Sequence, residues 1–198
     1  MMFVRQIAGV IALLSILTMS TAASDASENA FGALDKELGS GLVCSSCAFS
    51  AESLRYLLGA KARKKRMSKA SKRKAVDAAI AEACEASRFP KQIAELGDEG
   101  DRRFEDFQSV MKKGGSVSNL NMSPENLDKI QRVCRKVFEL VADDVREKAL
   151  AYKERLGGYN WERWLCVKSL HLCEQTQFHQ SDEEDEEEAE VELDEDDL

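Results

Sequence analysis

Proline is almost missing from this chain. Pro90 and Pro124 are the only two in 198 residues, so long helices are interrupted at two points at most by that residue. Histidine is equally scarce: His171 and His179 stand alone, and neither accompanies a cysteine spacing that suits zinc. No Ser-His-Asp or Cys-His arrangement, phosphate loop or dinucleotide glycine motif is present. After the first two dozen residues there is no run near the roughly 20 apolar residues that span a bilayer. These absences leave no catalytic residue, no metal site and no cofactor motif to assign, and the chain reads as non-enzymatic.

What is there begins with a leader. Met1 to Gln6 carries one positive charge at Arg5, the apolar run Ile7 to Met19 follows, and Ser20-Thr21-Ala22-Ala23 supplies small residues. That order outlines a secretory signal peptide over residues 1–23. It places the six cysteines, at 44, 47, 84, 134, 166 and 173, in an oxidising compartment, where they read as three disulfides. Six cysteines allow fifteen pairings, and sequence alone selects none of them.

Charge is split along the chain. Thirteen of the thirty-six acids lie between Asp182 and Asp197; without them and without Arg5, the formal charge of −8 becomes +4 for the body. Nine of the fourteen residues from 61 to 74 are basic: Lys61, Arg63, Lys64, Lys65, Arg66, Lys69, Lys72, Arg73 and Lys74. This run reads as a solvated connection between helices or as a surface for an anionic partner; nucleic acid is not expected in a secretory compartment. Residues 181–198 are expected to form a disordered acidic tail, and the charge split suggests that it folds back over the basic run.

Ala, Leu, Glu and Lys dominate the rest, which favours helix. Residues 24–40 are small and polar and read as a loosely ordered lead-in linker. Cys44, Cys47, Ala48, Ala51, Leu54 and Leu58 then repeat at helical spacing, putting both cysteines on one buried face. A second helix is expected over about 71–86, with Val76, Ala79, Ile80, Ala83 and Cys84 as its stripe. From 88 to 121 the pattern decays into a long excursion marked by Pro90, Gly97, Gly100 and Gly114-Gly115, with a short helix expected near Phe104 to Met111. Ser123-Pro124-Glu125 opens the third and longest helix, whose pattern is followed as far as Leu156 before Gly157-Gly158. A fourth runs from about Tyr159 through Cys166 and Cys173. Asn121-Met122-Ser123 fits the glycosylation acceptor, but Pro124 directly after it disfavours occupancy.

Leu42-Val43-Cys44-Ser45-Ser46-Cys47, one cysteine in each of the next two helices, and Trp164-Leu165-Cys166 through Cys173-Glu174 resemble the saposin-like layout. Within it, together with the basic segment, the excursion and the acidic tail, they resemble the canopy family of endoplasmic-reticulum proteins. The resemblance covers about residues 41 to 178, within a domain expected over residues 41–180. It implies an all-α bundle of about four amphipathic helices stapled by Cys44–Cys173, Cys47–Cys166 and Cys84–Cys134. It further implies a non-enzymatic co-chaperone or adaptor for secretory or membrane-receptor clients, partnered by the luminal chaperone endoplasmin, in the endoplasmic-reticulum lumen or secreted. The chain ends Glu195-Asp196-Asp197-Leu198, sharing its aspartate and leucine with the Lys-Asp-Glu-Leu retrieval signal and reversing the first charge. Two other readings stand beside this one. Amphipathic helices that open would make a saposin-like lipid binder, and Cys44-Ser45-Ser46-Cys47 would make a thiol–disulfide exchanger, although no strand precedes it as in thioredoxin-like motifs.

Overall fold

The computed structural model describes residues 31–63, 67–98, 101–112, 114 and 119–174. The expected leader, Lys64, Lys65, Arg66 and the acidic tail lie outside these residues. Residues 31–38 are helical and bury Phe31 and Leu38, whose seven-residue spacing puts them on one face. This part of the lead-in is therefore packed helix, where a loose linker was expected.

Gly39, at φ 94°, turns the chain into helix α1, Ser40–Lys61. Its first half is buried nearly all round, at Leu42, Val43, Cys44, Ser46, Cys47, Ser50 and Ala51. Buried serines are tolerated because their hydroxyls find carbonyls: Ser46 Oγ donates to Leu42 O at 2.6 Å and Ser50 Oγ to Ser46 O at 2.7 Å. Helix α2, Lys69–Glu82, starts at Ser68, whose Oγ accepts the Ser71 N–H, and buries Val76 and Ala79. Ser53 Oγ on α1 donates to Ala83 O at 2.7 Å, tying the two helices just beyond the end of α2.

The excursion corrects the all-α expectation. Strands β1, Ile93–Leu96, and β2, Arg103–Asp106, pair antiparallel, with Ile93 opposite Asp106 and Leu96 opposite Arg103. All four residues of β1 are buried, so its backbone groups need partners that solvent cannot give; β2 on one side and Asn121 on the other supply them. Glu95 is buried with the rest and accepts from Arg102 at 3.0 Å, with Lys129 at 3.5 Å. A short helix α3, Phe107–Lys112, follows and closes a small apolar cluster of Ala94, Leu96 and Val110.

Helix α4, Glu125–Ala151, is the longest. Ser123 Oγ accepts the Glu125 N–H, and Ile130, Cys134, Val137, Val141 and Val145 form its core stripe. A 3-10 turn, Leu156–Gly158, leads to the last helical segment, which is a π-helix over Arg163–Ser169 rather than a regular fourth helix. Trp161, fully buried, donates its ring N–H to Leu156 O at 2.8 Å. One continuous core joins α1, α2, α4, the last segment and, through Ile93 and Phe104, the sheet.

Candidate functional site

The CxxC segment sits in the second turn of α1, and its two cysteines bond to different partners. Cys44 is bridged to Cys173, Cys47 to Cys166, and Cys84 at the end of α2 to Cys134 on α4, the same pairs that the resemblance implies. All six cysteines are bridged, so neither CxxC sulfur is a thiol here. Cys44 and Cys47 are three residues apart, a rise of about 4.5 Å, whereas seven helical residues between Cys166 and Cys173 would rise about 10.5 Å. The chain resolves the mismatch by turning back after Leu170. The N–H groups of Leu172 and Cys173 both donate to Cys166 O, at 2.8 and 3.1 Å, which brings Cys173 over Cys166 and level with Cys44. Three disulfides fit an oxidising compartment such as the secretory pathway. Among the described residues no helix is long and apolar enough to cross a membrane, and no His, Cys, Asp or Glu group could hold a metal ion.

The described members of the basic run, without Lys64, Lys65 and Arg66, are divided among different partners and faces. Lys61 Nζ lies 2.7 Å from Glu82 Oε1, and Arg88 binds the other oxygen at 3.2 Å; the hydrogen bond from Lys61 is the chief cause holding the Glu82 carboxyl below its usual range. Lys72 donates to the Tyr152 carbonyl, and burial lowers its pKa. Lys69, Arg73 and Lys74 are exposed along α2. Arg63, one residue past the α1 cap, faces elsewhere: it lines a groove with Arg155.

That groove belongs to the second half of α1, which the sequence did not single out. Here one face of the helix is open, and Tyr56, 68% exposed, is the most exposed of the large apolar side chains. On one side of Tyr56 lies a hollow bounded by Phe49, Arg88, Phe89 and Pro90. On the other runs the groove between α1 and residues 157–162. Its floor is made by Gly59 and Gly157: a Cβ on Gly157 would lie 2.8 Å from the Gly59 Cα, so the backbones meet where side chains would otherwise stand. One end of the groove carries Arg63 and Arg155. The other carries Glu52 and Glu162, with Arg55 beside both. Burial raises the Glu162 pKa, the nearby Glu52 charge raises it further, and Arg55 opposes them. A signal for this face was present in the sequence, since Glu52, Arg55, Tyr56 and Arg63 form a row of their own at helical spacing beside the apolar stripe.

No family model, curated protein or solved structure matches this chain. The geometry of the α1 face is thus the basis for a functional reading.

Proposed function

We propose that the protein is a non-enzymatic adaptor or co-chaperone of the secretory pathway, binding client proteins through the open face of α1. The observation that carries this reading is Tyr56, an exposed aromatic on a helix whose other end is fixed by two disulfides. An aromatic side chain held on a rigid element binds at low entropic cost, and tyrosine is enriched at interfaces for that reason. The saposin-like, canopy-type pattern of cysteines supports the same reading and points to the endoplasmic-reticulum lumen as the site of action and to endoplasmin as the partner chaperone. Two features favour it over the alternatives. The apolar helix faces are taken up by one core, and both CxxC sulfurs are engaged in bridges to the far end of the chain.

The test is a crosslinked pull-down from secretory-pathway lumen with the full chain and with Tyr56→Ser. Endoplasmin and a restricted set of receptor or secreted clients are expected with the full chain, with clients reduced several-fold by Tyr56→Ser. Recovery of lipid without protein would move the function to lipid binding.

A further inference from the structure

The two ends of the groove differ in charge, and the cationic end has no partner in the described body. The guanidinium groups of Arg63 and Arg155 flank the glycine floor without a hydrogen bond or ion pair to any described side chain, whereas Lys61, one residue before the α1 cap, is held by Glu82. Two guanidinium groups beside an open backbone floor suit carboxylates, because the planar fork binds them two-pronged and stays charged throughout the physiological range. The hollow they line with Gly59, Gly157 and Gly158 has a volume of about 340 Å³ and stands open to solvent, so a chain segment can enter it from outside.

The chain carries such a peptide. Thirteen acids fall in the seventeen residues from 182 to 198. The last described residue, Glu174, follows Cys173, which is bridged to Cys44 near the start of α1. The acidic segment is therefore tethered at the opposite end of the helix that carries the groove. The eight residue steps from Glu174 to Asp182 reach ~27 Å when extended. From Cys44 to Arg63 is ~28 Å along the helix axis. An extended connection of that length is enough to bring the acids to the arginines, with sixteen residues following Asp182. Glu52 and Glu162 give the far end acidic groups of its own, so an acidic segment is favoured at the arginine end.

We propose that the segment Asp182 to Asp197 docks in cis on the Gly59–Gly157 groove, its carboxylates paired with Arg63 and Arg155. Tethering replaces a bimolecular encounter by an effective concentration near the millimolar range, so individually weak, screened pairs suffice to keep the groove occupied. The docked segment covers the surface beside Tyr56, and another acidic chain reaches it only by displacement. This contact is independent of the adaptor reading, since it requires no client.

The experiment uses the full chain with its three bridges, and a second full-length chain in which the thirteen acids are replaced by amides, Asp182→Asn, Glu183→Gln and onward. A fluorescent peptide of residues 181–198 is titrated onto each. Binding to the neutral-tail chain is expected about ten-fold tighter than to the unreplaced chain, whose own segment competes. Arg63→Gln with Arg155→Gln in the neutral-tail chain should remove that gain. Lys91→Gln with Lys112→Gln, at exposed positions elsewhere, should leave it. Equal peptide binding to the two tails would mean that the groove takes acidic chains only in trans, and would overturn the proposal, as would an equal loss from the lysine pair. Amide spectra need no change in the body: shifts at Arg55, Tyr56 and Arg63 between the two tails are expected, and coincident spectra would overturn the proposal.

Discussion

The two halves of α1 do opposite work with one continuous helix. From Leu42 to Ala51 nearly every side chain is buried, two cysteines are tied to the end of the chain, and Ser45 Oγ even accepts the Phe104 N–H of the sheet at 2.9 Å. From Glu52 to Lys61 the inward face still packs through Leu54, Leu57 and Leu58, while Arg55, Tyr56 and Ala60 face outward. A helix held on all sides at one end can leave a face bare at the other without losing its position. The difference separates what holds the fold from what presents a surface, and substitutions in the two halves should behave differently.

The largest effect is expected where the first half is stapled. Cys47→Ser with Cys166→Ser removes a fully buried bridge that closes 119 residues, and should cost about 2–4 kcal/mol in guanidinium unfolding of the protein. A loss below about 1 kcal/mol would show that burial, and not the staple, holds this half. Next, Gly157→Ala forces a Cβ against Gly59 and should cost about 1–3 kcal/mol, with partner binding reduced more steeply than stability because the groove floor rises. Ser53→Ala leaves the buried Ala83 carbonyl without its donor; about 1–2 kcal/mol is expected by thermal unfolding.

The smallest effect is a pH dependence in the second half. Glu162 has its pKa raised in the folded protein, chiefly by burial and then by Glu52, so the folded state holds its proton more tightly than the unfolded chain. Its contribution is fully present below the unfolded pKa and is lost as pH rises through the raised folded value. Glu162→Gln should flatten that part of the stability–pH profile and leave the acid limb governed by other groups. An unchanged slope would mean that the Glu162 carboxylate is better solvated than its position beside Trp161 implies.

Helices were legible in this sequence because apolar residues repeat every three and four positions, from Leu54 and Leu58 on α1 to Val137, Val141 and Val145 on α4. The excursion and its short helix were legible too, but its strands were not. Each strand is four residues long, too short for alternation to register, and in β1 all four positions are buried, including Glu95, whose charge is balanced by Arg102 and Lys129 from elsewhere. The fourth helix was legible in place but not in kind, since the wide π-turn and the return of Cys173 onto Cys166 are set by the spacing of the cysteines they must meet. The basic run was visible as composition, yet its division depends on Glu82, the Tyr152 carbonyl and Arg155, which are distant in sequence from most of it. Arg63 shares the run with Lys61 and Lys72 but lines a hollow with Arg155, away from the partners of both.

The bridge separations also set an order of events during synthesis. Cys84 meets Cys134 after 50 residues, while Cys47 and Cys44 must wait 119 and 129 residues for theirs. A chain emerging from its N-terminus at roughly 5–20 residues per second therefore exposes the CxxC thiols for many seconds after α1 is made. The α2–α4 bridge is the one available first, and α1 is locked last, by the arrival of the segment that ends at Cys173. The helix at the centre of the finished molecule is thus the last to be secured, with Cys44 and Cys47 one turn apart and without their partners in the interval.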